Sequence, residues 1–268
     1  MSTLATPSPT QPERVSLERR VPSAGGLNVT FIKIEIRRLL RNRRTVIFTL
    51  LMPALFFLIF GLPNKDQHLP NGQSYGSYIL ISLAVYGAMT AATSAGGMVA
   101  VERALGWSRQ LRLTPLQPAA YIAVKALSAL SLALLSVATE FVIGFAFGVR
   151  MDWQIWLIAG LVAWLGSLTF AALGLFMGYL VPSQNVMQLL GPILAVLAML
   201  GGLFVPISVM GTTFGEIAKF VPTYGLGQLA RSPLTGDFDW SWVVNVAIWL
   251  AVFTVGATLA FRRDTKRV

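Results

Sequence analysis

The sequence predicts an all-α membrane protein with six transmembrane helices, and three observations support this fold class. Hydrophobic residues make up 55% of the 268 residues and charged residues only 12%, about half the charged share of a typical soluble domain. The apolar residues form runs of about 20, the length that a helix needs to cross a hydrocarbon core of roughly 30 Å. These runs are apolar on every side, whereas membrane barrel strands alternate apolar and polar residues. The six runs are residues 45–62, 77–101, 126–148, 155–181, 186–209 and 241–261.

Two segments precede the first run. Residues 1–27 are expected to form a flexible cytoplasmic tail, because they are rich in Ser, Thr and Pro and contain no apolar core of a secretory signal. Residues 28–44 have the pattern of an amphipathic interfacial helix. Its apolar face carries Val29, Ile32, Ile36, Leu39 and Leu40, and its basic face carries Lys33, Arg37, Arg41 and Arg44. Two roles stay open for it: an anchor to lipid headgroups, or a connecting helix that also touches a protein partner.

The distribution of positive charge predicts the topology. The net charge is +10, and all but four of the 21 Lys and Arg residues lie on one side of the six runs, with Lys65, Arg150, Lys219 and Arg231 on the other. Short loops rich in Lys and Arg stay in the cytoplasm, so both termini, including a tail over residues 262–268, are expected there. This interpretation is favoured over binding to nucleic acid. Arginine outnumbers lysine, which is typical of a GC-rich bacterial genome, and a bacterial cell membrane is the expected location.

The sequence offers little for catalysis or metal binding. It contains no cysteine and a single histidine, His68, with no second ligand nearby in sequence. Neither an HExxH nor a Gly-x-Ser-x-Gly motif is present, and no phosphate-binding Gly-x4-Gly-Lys-Ser/Thr loop occurs. We therefore expect no enzyme activity, no metal site and no cofactor in this chain.

Glu140 is the one ionisable side chain clearly at membrane depth, within the third run. Burying a carboxylate there is costly unless it is protonated, paired or facing water, so Glu140 is a candidate for a substrate path. The alternative is that it lies near enough to the outer interface to reach water. Further along, the fifth run contains Pro192 and Pro206, and a half-apolar stretch over Glu216–Val221 is ended by Pro222. This pattern predicts short outer-leaflet helices between spans 5 and 6.

The segment between the second and third runs, Val101–Leu127, reads VERALGWSRQLRLTPLQPAAYIAVKAL. We predict a short cytoplasmic helix over Glu102–Leu113, ended by Pro115 and Pro118, because proline cannot continue a helix. Such a helix would place Trp107 beside arginine side chains, a composition common at protein contact hot spots. The alternative is an inside loop whose arginines fix the topology and whose tryptophan lies at the headgroups.

This segment resembles the stretch that follows the second span in type-2 ABC transporter permeases. Two more stretches are similar to that family: LLMPALFFLIFG at Leu50–Gly61, and GGLFVPISVMGTTFGEIAKFVPTYGL at Gly201–Leu226. With six spans, the resemblance extends over nearly the whole chain. Two differences stand out. Many members have Glu-Arg-Glu-Arg-Gly where this chain has ERALG at Glu102–Gly106, so one charged pair is missing, and Gly211 replaces a frequent proline.

The resemblance implies that the segment is a coupling helix that docks on an ABC ATPase subunit, which would bind ATP and Mg. It also implies a second permease, either another copy or a homologous sibling, and export of a hydrophobic drug-like or lipid substrate, with a polysaccharide as an alternative. The residues assigned to ATPase coupling are Glu102, Arg103, Leu105, Gly106, Trp107, Arg109, Gln110, Leu111, Arg112, Thr114 and Pro115. The rival hypotheses are a proton-coupled secondary transporter that uses Glu140, a membrane-embedded enzyme and a passive scaffold.

Overall fold

The computed structural model describes residues 29–69, 72–106 and 118–266, and these residues are almost entirely helical. Apart from one isolated bridge between His68 and Ser74, no strand pairing occurs in the described ranges. The α-helices are α1 (Val29–Arg41), α2 (Arg43–Val46), α3 (Met52–Phe56), α4 (Tyr75–Ala104), α5 (Pro118–Ala146), α6 (Trp153–Gly166), α7 (Leu168–Leu180), α8 (Ser183–Leu200), α9 (Ile207–Met210), α10 (Thr212–Ala218), α11 (Pro222–Thr235) and α12 (Trp240–Lys266).

Six helical segments are long and apolar enough to cross a membrane, which confirms the predicted fold class. The six spans are Ile47–Asn64, Tyr75–Ala104, Ala120–Ala146, Trp153–Leu180, Ser183–Leu200 and Trp240–Arg263. Helix α1, the end of the second span and the start of the third lie together on one side of this bundle, called here the N-terminal side. The loops after the first, third and fifth spans lie on the opposite side.

The second span is the central helix of the bundle. Within its most apolar window 83% of the residues are buried, against 11% for the sixth span. It packs against the third, fourth and fifth spans and also against α11. Close contact with the fourth span depends on glycine: a side chain at Gly174 would collide with the carbonyl oxygen of Thr93, and one at Gly96 would lie 2.5 Å from the carbonyl oxygen of Ala171. Small residues at this contact therefore let two backbones approach each other, as in other membrane helix pairs.

The first span is irregular around Pro53. On either side of it the helix widens into π-turns, Ile47–Leu51 and Phe57–Gly61, in which backbone bonds reach five residues along the chain. Proline has no N–H to donate to the carbonyl of Thr49, four residues earlier. Ser136 of the third span donates its hydroxyl to that carbonyl at 3.1 Å. A neighbouring span thus helps to satisfy a backbone group that proline leaves without its usual partner.

The region between the fifth and sixth spans differs in detail from the sequence interpretation. Helix α8 continues through Pro192 and ends at Leu200, so the fifth span is shorter than predicted. Short helices α9 and α10 follow, and Pro222 begins the 14-residue helix α11 instead of ending an element. Proline is favoured in the first turn because those N–H groups have no intrahelical acceptor. Helix α11 packs against α4, α6 and α12 and closes the opposite side of the bundle.

The ends of the segment between the second and third spans also differ from the prediction. Glu102 and Arg103 do not begin a separate helix, since α4 continues to Ala104. A turn follows at Gly106, where φ is +72°, a conformation that glycine adopts at little cost. Pro118 begins α5 instead of ending a cytoplasmic helix, and the third span starts six residues earlier than predicted. Residues 107–117, which contain the core of the predicted coupling helix, lie outside the described ranges.

Candidate ATPase-coupling site

Four charged side chains, three of them buried, form an ionic cluster on the N-terminal side of the bundle. The ionic cluster consists of Glu35 and Arg38 from α1, Glu102 from the last turns of α4, and Lys125 from α5. Lys125 donates hydrogen bonds to the carboxylates of both Glu35 and Glu102. The Arg38 Nη1 atom lies 2.8 Å from Glu102 Oε1 and 3.6 Å from Glu35 Oε2. The cluster therefore connects three helices through shared carboxylate oxygens.

Three members of the cluster are buried, whereas the Arg38 side chain at its edge is 37% exposed, and the four charges balance. The side chains of Glu102 and Lys125 are 2% and 3% exposed. Tyr121, one turn before Lys125 on α5, donates its hydroxyl to the second oxygen of Glu102 at 2.5 Å. Two carboxylates face two cations, so each buried charge has a partner. Such buried networks are costly to break, because removing one member leaves another charge uncompensated in a medium of low polarity.

The local sequence explains how these side chains meet. Glu35 lies in the apolar stripe of α1, four residues before the buried Leu39, so the face that packs against α5 also carries the carboxylate. Tyr121 and Lys125 are likewise four residues apart and share one face of α5. Glu102 lies in the last turn of α4, four residues before Gly106. The cluster is thus placed at both ends of the segment 107–117.

The predicted coupling residues take different positions. Glu102 points into the ionic cluster and not toward a docking surface. The Arg103 Nη1 atom donates to the carbonyl oxygens of Gly178 and Tyr179, both at 3.0 Å, and thereby bonds two carbonyls at the C-terminal end of α7. Leu105 is largely exposed. The remaining predicted coupling residues lie outside the described ranges: Trp107, Arg109, Gln110, Leu111, Arg112, Thr114 and Pro115.

The basic face of α1 has the expected exposure. Lys33, Arg37 and Arg41 are exposed, and Arg44 lies in α2 with its side chain outside the described residues. The opposite face contacts the third span, where a groove of about 380 Å³ is lined by Ile36 and other apolar residues of α1 and α5. The helix therefore packs on protein through one face and leaves its cations exposed on the other.

Glu140 is 1% exposed and lies within the third span. Its Oε1 atom has no hydrogen-bond partner among the described residues. The second and third spans run antiparallel: Gly87 lies against Ser136, and Gly144 lies against Leu80. Position 140 of the third span therefore lies beside residues 83 and 84 of the second. The carboxyl group does not reach the surface of the single chain, contrary to the alternative that it contacts water near an interface.

Arg231 of α11 is a second buried charge that the sequence interpretation did not single out. Its side chain is 1% exposed, and it donates to Ser82 Oγ at 2.8 Å and to Gln228 Oε1 at 2.7 Å. The guanidinium also lies 4.6 Å from the ring centre of Tyr78. Burial lowers the pKa of this group. No carboxylate is paired with Arg231 in the described part of the chain, so neutral groups alone hold it.

Some residues of the ionic cluster could have been found from the sequence and others could not. Glu35 is the one acidic residue in an otherwise basic amphipathic helix, and it falls within the apolar stripe, which is a signal for a buried partner. Lys125 was assigned to a loop because the apolar run was started at Ala126. Tyr121 carries no such signal, because an isolated tyrosine near a membrane interface is common. In the described ranges, no group of three His, Cys, Asp or Glu residues could hold a metal ion.

Six apolar spans, of which the second is the central helix of the bundle, define a multi-pass integral membrane protein. The model of the ABC-2 type transporter family matches residues 27–234, from the amphipathic helix to the end of α11. The chain therefore belongs to the ABC-2 type transporter family, which confirms the resemblance to type-2 ABC permeases. It is also similar to a Bacillus subtilis (strain 168) protein named "Putative transport permease YvfS", with 26% identity over 222 residues that cover 82% of this chain and 90% of that relative.

The family gives the general function. This chain is an ABC transporter permease, and its family is one of transport subunits and not of enzymes. Membership implies, in general, an ABC ATPase as a partner.

Proposed function

We propose that the chain is the transmembrane subunit of an ABC exporter that moves a hydrophobic drug-like molecule or a lipid out of the cytoplasm or inner leaflet. A separate ATPase subunit, which binds ATP and Mg, drives alternating access. The observation that carries this proposal is the ionic cluster, which ties both ends of the segment 107–117 to each other and to α1. A segment anchored in this way passes a displacement to two spans at once.

The proposed mechanism begins at the segment between the second and third spans. The exposed Leu105 and the predicted docking residues Trp107, Arg109 and Leu111 contact the ATPase. Closure of the ATPase pair moves the segment, and the ionic cluster carries the movement into the second span, the third span and α1 together. Coupling requires that ATP and substrate favour different states of the bundle. Glu102 takes part as a buried link and not as a contact residue.

The charge distribution supports an orientation with the N-terminal side in the cytoplasm. Exposed cations of α1 and the arginines at the end of α12 lie on that side, whereas the opposite side carries few basic residues. In this orientation the segment 107–117 is available to a cytoplasmic ATPase. The family model supports the same partner in general.

An apolar groove supports a hydrophobic substrate. It has a volume of about 520 Å³ and lies between the third, fourth and sixth spans. Its lining is mostly Ala, Leu and Ile, with Tyr179, Thr254 and Thr258 as the hydroxyl-bearing exceptions. A sugar chain would leave many hydroxyl groups without partners in such a groove. We therefore favour a lipid or a drug-like molecule over a polysaccharide.

The fifth span supports the proposal of a second permease, either an identical chain or a sibling. Val186, Leu190 and the other buried residues of α8 follow one stripe, four residues apart. The opposite face exposes Asn185 and Gln188. Amide side chains facing lipid lose hydrogen bonds, so a protein surface or a water-lined path at this face is favoured.

The test of coupling uses membrane vesicles that contain this permease and its candidate ATPase. The variant Arg109→Glu with Leu111→Asp reverses charge and removes an apolar contact in the segment. We expect it to release the ATPase during purification and to abolish substrate-stimulated ATP hydrolysis. The matched control is Lys219→Glu with Ile217→Asp, which makes the same types of change at exposed residues on the opposite side and is expected to keep both properties.

The result that would contradict the proposal is equal co-purification and turnover for both double variants. The segment would then act only as a topology signal. Correct insertion of each variant is checked by protease protection of the two termini, so that loss of assembly is not confused with loss of docking.

A second candidate function is proton-coupled transport through Glu140. The specific observation that favours it is a buried carboxyl group with an unpartnered oxygen in the third span. Glu140→Gln tests it against the ABC mechanism. Proton coupling predicts transport that collapses with the proton gradient and continues with a catalytically inactive ATPase, and the ABC mechanism predicts the reverse.

A further inference from the structure

A groove with two arginines lies at the ends of three spans on the N-terminal side. Arg103 is the last residue but one of the second span, Leu180 is the last residue of the fourth, and Arg263 is the last residue of the sixth. The groove between them has a volume of about 520 Å³, and it is separate from the apolar groove of the third, fourth and sixth spans except that both touch Tyr179. From the geometry of this arginine groove, we infer a binding site for one anionic phospholipid of the adjacent leaflet.

The arginine groove has a polar entrance and an apolar floor. Arg103 and Arg263 lie at the level where the apolar spans end, which is the level of lipid phosphates. Phe176 and Gly256 lie deeper: seven helical residues separate Gly256 from Arg263, a depth of about 10 Å. Leu259 and Ala260 line the wall between these levels. This arrangement matches a charged headgroup followed by the first part of an acyl chain.

The position of Arg103 is set by the protein itself. Its two bonds to carbonyl oxygens at the end of α7 hold the guanidinium at the entrance, and its Cζ atom lies 5.6 Å from the ring centre of Tyr179. Arg263 reaches the entrance from the exposed surface of α12. Two cations are therefore presented to one small space by different helices, as in basic sites for lipid headgroups between spans.

Charge and shape favour an anionic lipid over other occupants. Among the described residues that line the groove are two arginines and no acidic side chain, so a headgroup with a net negative charge is attracted more strongly than a zwitterionic one. A Cβ atom at Gly256 would lie 3.0 Å from the ring of Phe176. Because Gly256 has no side chain, the two helices approach each other closely there, and the floor of the groove is narrow. A soluble protein partner could meet the arginines but could not fill the apolar part, which extends into the hydrocarbon region.

The test measures thermal unfolding of the purified full chain in detergent, with added dioleoyl phosphatidylglycerol, dioleoyl phosphatidylcholine or inorganic phosphate. We expect phosphatidylglycerol to raise the unfolding temperature more than phosphatidylcholine, and phosphate alone to have no comparable effect. Arg263→Gln should weaken the apparent affinity for phosphatidylglycerol about fivefold, the effect of one basic residue near a membrane surface. Native mass spectrometry should show one fewer retained phosphatidylglycerol molecule in this variant.

Arg262→Gln is the matched control, because it removes the same charge one residue away and about 100° around the same helix. It should keep the phosphatidylglycerol shift and the retained lipid. Equal losses in Arg262→Gln and Arg263→Gln would overturn the site in favour of diffuse surface charge. Equal stabilisation by both lipids would also overturn it, and stabilisation by phosphate alone would replace it with a simple anion site. Each variant is compared with its own lipid-free unfolding temperature, so a change in basal stability does not affect the result.

Discussion

The two sides of the helix bundle bury charged side chains in different ways. On the N-terminal side the ionic cluster pairs two carboxylates with two cations across three helices. On the opposite side, Arg231 is held by a hydroxyl, an amide and a carbonyl, with no carboxylate paired to it among the described residues. Both arrangements join helices, but only the first depends on a balance of opposite charges. The two sides should therefore respond differently when one member is removed.

The difference also indicates that the two sides of the bundle have different roles. The ionic cluster flanks the proposed docking segment in sequence and joins the elements that are proposed to move together. The Arg231 site fastens α11 to the second span and closes the bundle. Contacts that depend on charge therefore lie on the side that is proposed to receive the movement of the ATPase, and neutral contacts lie on the other side.

The largest effect is expected from Lys125→Met. This change leaves the carboxylates of Glu35 and Glu102 with the partly exposed Arg38 as their one remaining cation in the cluster, and breaking such a buried network typically costs about 3–5 kcal/mol. Chemical unfolding in detergent should show a loss of stability of that size. Lys219→Met is the control, because Lys219 pairs with Glu216 at an exposed position and its loss should leave stability unchanged.

A double-mutant cycle sharpens this prediction. Glu35→Gln combined with Lys125→Met should cost less than the sum of the single changes, since the second change removes a charge that the first left unpaired. Additive losses would show that the cluster does not act as a unit, and the comparison of the two sides would then fail.

Arg231→Met should have a smaller effect, of about 1–3 kcal/mol. The change leaves Ser82 and Gln228 without their donor, but it also removes a buried charge that has no carboxylate partner, and this offsets part of the loss. Unfolding is measured in the same detergent, with Arg150→Met as an exposed control on the same side. If Arg231→Met were as damaging as Lys125→Met, charge balance would not distinguish the two sides.

Gly174→Ala tests the helix pair that connects the two sides. An added methyl group would collide with the backbone of Thr93, and backbone cannot move aside as a flexible side chain can. Overpacking of this kind usually costs about 1–3 kcal/mol, and we expect a lower unfolding temperature together with weaker coupling of ATP hydrolysis to substrate. Gly191→Ala is the control, since a methyl group there meets open space. If Gly174→Ala left both the unfolding temperature and the coupling unchanged, the second and fourth spans would not form a rigid unit.

The sequence predicted the spans well because crossing a membrane imposes a length and a composition that can be counted. It predicted the contacts of the site poorly, because contacts depend on which helix faces meet. Glu102 was assigned to a docking surface from its place in a motif, yet it lies in a buried network. The apolar run begins at Ala126, so Lys125 was placed outside the predicted span. Because the helix α5 already begins at Pro118, Lys125 lies within it and reaches the carboxylate of Glu102.

The smallest predicted effect concerns Ser136, the residue that bonds the Thr49 carbonyl of the first span. Ser136→Ala removes the buried hydrogen bond from the third span to the Thr49 carbonyl. We therefore expect the free energy of unfolding to fall by about 1 kcal/mol. Ser131→Ala is the matched control on the same helix, because Ser131 is partly exposed and its hydroxyl donates to the carbonyl of Leu127 within its own helix. A similar loss in both variants would indicate a change in helix propensity rather than a link between spans. A loss confined to Ser136→Ala would show that the third span supports the irregular first span, and that neutral bonds join helices between the two charged ends as well.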